Sequence, residues 1–383
     1  MTKDTTLESN HMRHKTGAIS PSYRRMAQAF AALRRGETIL IRAANNRAAL
    51  LRAAEFADYD DGQMQDIADS GMVLCLRRQH IEALGRKAHG TRPVFTMSAG
   101  SLSADEILNI SYGQADSVPQ TVSLLGEQAD SLADLGTKIL RQARLLPTAL
   151  IASLTSDDPQ HHNSLATMYA LPIVNAFDSE HHDSTAHWQV TKGARAQLPL
   201  RVSPDAEIIM FRSEGGDENH FAIIIGDGDE QTEPLVRLHS QCITGDVLGS
   251  LKCDCGPQLQ TALAHMADNG GGILLYLAQE GRDIGLMNKI RAYGLQDNGH
   301  DTVDANHRLG FATDERVFIP AVAMLQQLDV SAVKLMTNNP EKVTELEKYG
   351  VSVTNRVPLI LKANEHNKSY LDTKRDKTGH LLD

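Results

Sequence analysis

The sequence predicts an α/β protein of two domains, each with a mixed β-sheet and helices packed against it. Its 383 residues are enough for two separate hydrophobic cores. Short apolar runs typical of strands alternate along the chain with segments of helical periodicity. Between the two halves, residues 179–194 are polar and lack periodicity, which is typical of a linker.

The first predicted domain extends over residues 21–178, after a polar segment, 1–20, that we expect to be a flexible tail. We expect its helices at residues 22–35, 45–56, 62–70 and 131–145. We expect its strands at residues 37–42, 72–76, 149–153 and 171–177. This alternation predicts an α/β sandwich or a doubly wound layer.

The second predicted domain extends over residues 195–383 and opens with strands at 198–202, 207–211 and 220–225. Helices at 257–269 and 288–297 then flank a strand at 272–277. In the last βαβ unit, Asn339 and Pro340 start a helix and Gly350 ends it. Thr337 and Lys342 would lie at that helix N-terminus, where an anion is favoured, although a well-capped helix explains the same pattern.

The overall charge, the first residues and the lack of long apolar runs argue against several classes of partner and location. A net charge of −10 argues against nucleic acid or an anionic membrane as the main partner, but a local cluster of cations can still bind a polyphosphate. The first residues lack the apolar segment of a signal peptide, and no run approaches the ~18 apolar residues of a membrane span. With only four cysteines, a cytoplasmic protein without a disulfide framework is expected.

Three of the four cysteines, Cys242, Cys253 and Cys255, lie within fourteen residues. Three thiolates suit a tetrahedral Zn²⁺ site with one open position, as catalytic zinc sites have. Zinc lowers the pKa of a bound water, so hydroxide becomes available near neutral pH. The alternatives are three unpaired thiols, or one disulfide and a free thiol; a Cys253–Cys255 disulfide is unfavourable at that spacing. Cys75 lies in an apolar run and is expected to be a core residue.

Two further segments carry polar residues that suit ligand binding. Residues 279–286 follow a buried strand, where α/β proteins place ligands. In this segment Arg282 can bind phosphate with two hydrogen bonds, and Glu280 can accept from the N–H edge of a base. Asp314-Glu315-Arg316 precedes an amphipathic helix, so it is either a solvated helix start or part of a site. The P-loop and dinucleotide-binding patterns of glycines are absent from the sequence.

Residues 195–380 resemble GTP cyclohydrolase II, the family that opens the imidazole ring of GTP in riboflavin synthesis. The motifs that carry the resemblance are Val236-Arg-Leu-His-Ser, Cys242-x-Thr-Gly-Asp246, Ser250-Leu-Lys-Cys253-Asp-Cys255-Gly, Gln279-Glu-Gly-Arg282, Asn288-Lys-Ile-Arg-Ala-Tyr293, Asp314-Glu-Arg316 and Thr337-Asn-Asn-Pro340.

The resemblance implies a role for each matching position. Cys242, Cys253 and Cys255 would hold zinc. Arg316 would attack the α-phosphate, Asp314 would accept its proton, and Tyr293 would assist ring opening. The implied contacts with GTP are Arg237, His239, Ser240, Gln241, Gln258, Glu280, Gly281, Arg282, Thr302, Thr337 and Lys342. Mg²⁺ would accompany the GTP phosphates, and the enzyme would be a cytoplasmic homodimer.

The chain departs from the family pattern at two positions: Gln241 replaces the usual glutamate, and Ala278 replaces the usual arginine. The expected reaction releases pyrophosphate and formate and leaves 2,5-diamino-6-ribosylamino-4(3H)-pyrimidinone 5′-phosphate. The alternatives are a related enzyme that stops at the formamide or serves another pathway, and a GTP-binding regulatory pseudoenzyme.

The first domain is similar to 3,4-dihydroxy-2-butanone 4-phosphate synthase in Arg34-Arg-Gly36, Ala53-Ala-Glu-Phe56 and Leu146-Pro147-Thr-Ala-Leu-Ile151. That family has an acidic metal-binding loop, which would fall between Ile41 and Arg52. This chain has no carboxylate there, so an acidic Mg²⁺ site cannot form. We therefore expect a catalytically inactive domain that serves folding, dimerisation or regulation.

Overall fold

The computed structural model describes residues 20–58, 63–68, 70–114, 118, 122–185, 190–213 and 219–361. It confirms the α/β prediction, because each half of the chain forms a seven-stranded mixed sheet with helices packed against it. Apart from Ser20, the predicted flexible tail lies outside the described residues, and so do residues 362–383 of the second predicted domain.

The first sheet has the spatial order β5-β4-β3-β6-β2-β1-β7, and all its pairs are antiparallel except β1–β7. Its strands are β1 (Ile39–Arg42), β2 (Ala48–Ala53), β3 (Val73–Arg77), β4 (Val94–Ser98), β5 (Leu125–Glu127), β6 (Thr148–Ser153) and β7 (Ile173–Asn175). The described helices of this half are α1 (Pro21–Arg34), α2 (Gln63–Ile67), α3 (Arg78–Ala83), α4 (Ala104–Ser111), α5 (Leu132–Gln142), α6 (Pro159–Met168) and α7 (Ala176–Thr185). Because nearly all its strand pairs are antiparallel, this sheet is not doubly wound.

The predicted helix over residues 45–56 is wrong, because β2 occupies Ala48–Ala53. Its alanine- and leucine-rich sequence has high helix propensity, but all six residues are buried between β1 and β6. Burial on both faces of a central strand outweighs that propensity. The turn into β2 places Asn46 in the left-handed region, with φ 65°.

The segment 179–194, predicted as a linker, instead contains most of α7 and the start of the next strand. Helix α7 packs on α1 through Asp178, whose carboxylate accepts hydrogen bonds from Ser22 Oγ and Arg25 Nη2, both at 2.6 Å. Asp178 is fully buried, and the ring of His182 on α7 contacts Tyr23 and Phe30, so polar and aromatic contacts together hold a helix that has little apolar periodicity. The exact domain boundaries remain a prediction.

The second sheet has the order β14-β13-β11-β12-β10-β9-β8. It is parallel from β14 to β12 and antiparallel from β12 to β8. Its strands are β8 (Val190–Gln197), β9 (Glu207–Ser213), β10 (Asn219–Ile225), β11 (Leu235–Ser240), β12 (Gly272–Leu277), β13 (Ala332–Met336) and β14 (Ser352–Val357). Its described helices are α8 (Cys255–Asp268), α9 (Leu286–Asp297), α10 (Thr302–Arg308), α11 (Ile319–Gln327) and α12 (Pro340–Lys348).

The predicted strand at 198–202 is wrong, because β8 ends at Gln197 and a turn follows. Pro199 has no N–H to donate to a neighbouring strand, and Leu200 and Ser203 instead exchange backbone hydrogen bonds. Within the described residues, no helix is both long and apolar enough to cross a bilayer.

The architecture of the second sheet brings three loops to one edge. The parallel strands β11, β12 and β13 end there, and the loops after them carry Cys242, Arg282 and Thr337. Such an edge is where open α/β sheets bind ligands.

Candidate active site

Strand β11 supplies the buried wall of the cavity. Its side chains alternate, so Val236 and Leu238 join the hydrophobic core while Arg237 and His239 face the cavity. Arg237 Nη1 donates to Met336 O at 3.3 Å, and Nε has no hydrogen-bond partner among the described residues. Burial lowers the pKa of Arg237 to about 10, still well above neutral pH. A buried cation with an unpaired donor is suited to an anionic ligand.

His239 connects this strand to the cysteine loop. Its Nε2 lies 3.1 Å from both carboxylate oxygens of Asp246. Asp246 also accepts hydrogen bonds from the Cys242 backbone N–H at 3.0 Å and the Tyr276 hydroxyl at 2.9 Å. Burial lowers the pKa of His239, which favours the neutral ring. The sequence motif contained Asp246, but no role was predicted for it.

The three predicted zinc ligands converge. Cys242 ends the loop after β11, a π-helical turn (Ile243–Val247) follows, and Cys253 and Cys255 lie at the start of α8. Their sulfur atoms all lie within 4.8 Å of one another, and Cys242 Sγ and Cys253 Sγ are 3.6 Å apart. A tetrahedral zinc site with 2.3 Å bonds places its sulfurs about 3.8 Å apart. All four cysteines are free thiols, and Cys75 is buried in the first sheet.

Gly245 makes room for this cluster. A Cβ atom at Gly245 would lie 2.8 Å from Cys253 Sγ, 3.1 Å from Cys242 Sγ and 3.1 Å from Cys255 Cβ. Any side chain at this position would push the cysteine sulfurs out of place.

Lys289 lies beneath the cluster, and no role was predicted for it, although it belongs to one of the motifs. Its Nζ donates to Cys242 Sγ at 3.0 Å and to Glu280 Oε1 at 2.7 Å. Hydrogen bonds from Cys253 and Cys255 lower the pKa of the Cys242 thiol, and the hydrogen bond from Lys289 lowers it by a smaller amount. Burial alone would lower the pKa of Lys289, but its bonds to Cys242 and Glu280 raise it overall. The site therefore favours a thiolate at Cys242.

Glu280 lies under the cysteine loop rather than in the cavity wall. Its Oε1 accepts from Lys289, and its Oε2 accepts from the Ile243 backbone N–H at 2.7 Å. Both carboxylate oxygens thus hold the loop in place, and the predicted contact between Glu280 and GTP stays a prediction.

Tyr293 faces the same loop from helix α9. Its hydroxyl lies 3.4 Å from Thr244 Oγ1, and the amino groups of Lys252 and Lys289 lie 5.0 and 5.9 Å from its ring centroid. Burial raises the pKa of Tyr293 to about 12, so its phenol is protonated at neutral pH. Lys289 and Tyr293 are four residues apart on one helical face, a spacing from which the role of Lys289 could have been found.

Asp314 and Arg316 form a paired unit. Arg316 Nε donates to Asp314 Oδ1 at 2.9 Å, and its Nη2 donates to Oδ2. The remaining nitrogen, Nη1, donates to Ser240 Oγ at 3.2 Å. Burial alone would raise the pKa of Asp314, but the charge and hydrogen bonds of Arg316 lower it overall. An ionised carboxylate therefore contacts two guanidinium nitrogens at the cavity.

Three further predicted residues form a polar wall. Lys342 Nζ donates to Leu238 O at 2.9 Å, and Thr337 Oγ1 accepts from the Asn339 backbone N–H at 3.0 Å. Arg282 Nη1 donates to Thr313 O at 2.9 Å, and its backbone is left-handed, with φ 60°. Arg282, from a loop, and Lys342, from helix α12, thus add two cations to the cavity that Arg237 already lines, which suits a polyphosphate.

The structure brings most of the predicted residues into a single cavity wall. This wall contains Arg237, His239, Ser240, Gln241, Cys242, Cys253, Cys255, Gln258, Gly281, Arg282, Tyr293, Thr302, Arg316, Thr337 and Lys342. Asp314 lies outside this wall and contacts Arg316. The wall also includes Lys252, Lys289, Asn306 and Asn339, for which no role was predicted.

Comparisons with known proteins identify a family for this chain. The family model of GTP cyclohydrolase II matches residues 191–358. The GTP cyclohydrolase-2 of Azospirillum brasilense is 40% identical over 363 residues, which cover 94% of each chain. That of Escherichia fergusonii is 53% identical over 196 residues, which cover 51% of this chain and 98% of the relative.

Among solved structures, RibBX, a two-domain 3,4-dihydroxy-2-butanone 4-phosphate synthase from A. baumannii, covers 82% of this chain and 93% of its own. Its identity of 17% and TM-score of 0.35 are too low to indicate a function for the first domain. The match to the A. brasilense protein, by contrast, extends over nearly the whole of both chains. This chain belongs to the GTP cyclohydrolase II family.

Proposed function

We propose that this chain hydrolyses GTP as the first step of riboflavin biosynthesis. The products would be formate, pyrophosphate and 2,5-diamino-6-ribosylamino-4(3H)-pyrimidinone 5′-phosphate. One observation carries the proposal: a cluster of three thiols that could hold a metal and Arg316, paired with Asp314, line one cavity together with several cations.

Cys242, Cys253 and Cys255 would hold one zinc ion and leave its fourth position open. Zinc so bound supplies a Lewis acid and a water of lowered pKa for ring opening. The surrounding residues support this role, because Lys289 stabilises the Cys242 thiolate and Gly245 leaves space for the three sulfurs.

The triphosphate would lie against Arg237, Arg282, Lys342 and Thr337. Arg237 offers its unpaired Nε, and Thr337 lies just before the N-terminus of α12. Mg²⁺ would enter with the phosphates, because among the described residues the three cysteines form the only cluster suited to a metal.

Arg316 would act on the α-phosphate, with Asp314 as the acceptor of its proton. A guanidinium is protonated at neutral pH, so this step needs a base in contact with it. The ionised Asp314 carboxylate meets that need, since it already touches Nε and Nη2. Ser240 holds the third nitrogen and so fixes the plane of the guanidinium. Tyr293, a neutral phenol beside Thr244, would donate a proton or a hydrogen bond during ring opening.

The test is incubation of the zinc-loaded chain with GTP and Mg²⁺, with pyrophosphate, formate and the pyrimidine measured in the same samples. Equal amounts of the three products support the proposal. Accumulation of a formamide without formate would indicate an enzyme that stops early, the alternative suggested by Gln241 and Ala278. GTP binding without any product would indicate a pseudoenzyme. The variant Cys75→Ser serves as a control, because that thiol lies in the other sheet.

We also propose that the first domain has no dihydroxybutanone phosphate synthase activity. The turn between β1 and β2, where that family has acidic metal ligands, carries Asn45, Asn46 and Arg47 instead. Assembly as a homodimer and location in the cytoplasm stay predictions.

A further inference from the structure

We propose that the first domain positions the catalytic segment 310–317 of the second, with Arg77 and Arg141 acting through Glu315. This inference rests on the proposed function, in which Asp314 and Arg316 act on the triphosphate. Arg77 and Arg141 are positioning residues, since they contact Glu315 rather than the cavity.

The segment needs such support because residues 311–318 form neither helix nor strand. Its conformation therefore depends on side-chain contacts rather than on a regular hydrogen-bond ladder. Its first residue, Gly310, accepts hydrogen bonds through its carbonyl oxygen from Gln79 Nε2 at 3.0 Å and Arg77 Nη1 at 3.3 Å. A Cβ atom at Gly310 would lie 3.0 Å from Pro147 Cγ, so the two domains are in close contact here.

Glu315 anchors the middle of the segment to the first domain. Its Oε1 lies 3.2 Å from Arg77 Nη1, at the end of β3, and its Oε2 lies 3.5 Å from Arg141 Nη1, on α5. Oε1 also accepts from the Ala312 backbone N–H at 2.7 Å. The side chain of Glu315 is only 10% exposed, so solvent screens these ion pairs weakly.

The neighbours of Glu315 in sequence point elsewhere. Arg316 contacts Ser240 in the cavity wall and pairs with Asp314, while Glu315 between them contacts the first domain. A shift of Glu315 would therefore move both proposed catalytic residues, since they are its direct neighbours in the backbone.

The first domain supports a second catalytic loop in the same way. Arg144 forms an ion pair with Asp283 and donates to Ala278 O at 3.2 Å. Asp283 follows the proposed phosphate ligand Arg282, and both have left-handed backbones, with φ 74° and 60°. A left-handed backbone is unfavourable for residues other than glycine, so the loop requires external contacts to keep its shape.

A third contact reaches helix α9, which carries Tyr293. Arg291 pairs with the buried carboxylate of Glu55, and its guanidinium lies 4.8 Å from the ring centroid of Tyr112. Leu146 packs in one buried apolar cluster with residues of the second half, including Leu309 and Phe311. The interface thus has an apolar core and ion pairs to three elements that carry proposed reactive or phosphate-binding residues: segment 310–317, the loop with Arg282, and helix α9.

The test compares the wild-type chain with the double variant Arg77→Gln/Arg141→Gln. We expect kcat for GTP to fall about 10- to 100-fold, because a misplacement of about 1 Å costs about 100-fold in rate. The KM for GTP should change less than about threefold, since Arg237 and Lys342 still hold the phosphates. The variant Arg77→Lys keeps a positive charge beside Glu315, so its kcat should lie closer to that of the wild type than the kcat of Arg77→Gln does.

Arg78→Gln is the matched control, because Arg78 bonds Glu82 and the carbonyl oxygens of Ala88, Gly90 and Arg92 within the first domain. It should lower the melting temperature but leave kcat unchanged. Glu315→Gln should lower kcat, and adding it to Arg77→Gln should cost little more, because both changes remove the same contact.

Amide hydrogen exchange over residues 310–317 gives a readout that does not depend on turnover. The double variant should exchange faster there, and Arg78→Gln should not. Unchanged exchange over residues 310–317 in the double variant would overturn the positioning role. If the wild type is active, an unchanged kcat in the double variant would overturn it as well. Absence of GTP turnover in the wild type would count against the proposed function alone, because the exchange experiment would still decide the inference.

Discussion

Substitution of Gly245 by alanine tests the fit of the metal site. The new Cβ atom would lie 2.8 Å from Cys253 Sγ and 3.1 Å from Cys242 Sγ. Non-bonded heavy atoms prefer separations of about 3.5–4.0 Å, so two of the three sulfurs must move by several tenths of an ångström. Overpacking of this kind costs about 1–3 kcal/mol.

The new Cβ atom crowds the sulfur positions that metal binding requires, so the cost should appear as weaker zinc binding. Since about 1.4 kcal/mol corresponds to a tenfold change, we expect affinity to fall about 5- to 150-fold. The assay is competition for zinc with a chelator of known affinity, with circular dichroism to check folding. Gly71→Ala is the control, because a Cβ atom there meets nothing within 4 Å.

A folded Gly245→Ala variant that binds zinc within twofold of the wild type would refute this reasoning. It would mean that the three sulfurs do not hold the metal in the arrangement described. Weak zinc binding by the wild type itself would contradict the metal assignment more generally.

Three other predictions follow from buried groups and missing ligands. Lys289→Met should reduce zinc content and formate release, because it leaves the buried Glu280 carboxylate without its cation. Breaking a buried ion pair in this way lowers the free energy of unfolding by about 3–5 kcal/mol. The control Lys348→Met, at an exposed pair, should change neither zinc content nor formate release. With ribulose 5-phosphate and Mg²⁺, the chain should make no dihydroxybutanone phosphate, and sustained turnover would contradict the inactive first domain. Burial lowers the pKa of His80 to about 4, so the unfolded chain binds more protons between pH 4 and 6.5 and stability falls as the pH decreases through that window. The loss should reach about 2 kcal/mol at pH 5, and His80→Gln should flatten the fall in melting temperature between pH 7 and 5.

The sequence predicted the second sheet better than the first because its signals are local. The strand over 272–277 and the helix that starts at Pro340 have clear periodicity and clear ends, and both are confirmed. Strand β2 was mistaken for a helix because alanine and leucine favour helices, and only its position between two strands reverses that preference. Helix α7 was missed because it has little apolar periodicity, and its contacts with α1, which include the Asp178 ion pair and the ring of His182, form only in the folded chain.

In the candidate site too, features with a local sequence signal were predicted and features that depend on the folded chain were not. The cysteine spacing and the motifs at 279–282 and 314–316 indicated which loops matter, and the structure brings those loops to one cavity. The helical spacing to Tyr293 could have placed Lys289 at the site, but the partners of Lys289 and Glu280 could not be predicted, because they depend on which atoms the folded chain places beneath Cys242. Contacts such as Arg77 with Glu315 join residues far apart in sequence, so no local pattern predicts them.

The central claim is that the three cysteines hold a zinc ion that GTP hydrolysis requires. The most direct test measures zinc and formate together, in the wild-type chain and in Cys253→Ser supplied with GTP and Mg²⁺. We predict one zinc per wild-type chain and one formate per GTP consumed, and loss of both in the folded variant. Undiminished formate release by a zinc-free Cys253→Ser chain would contradict the account.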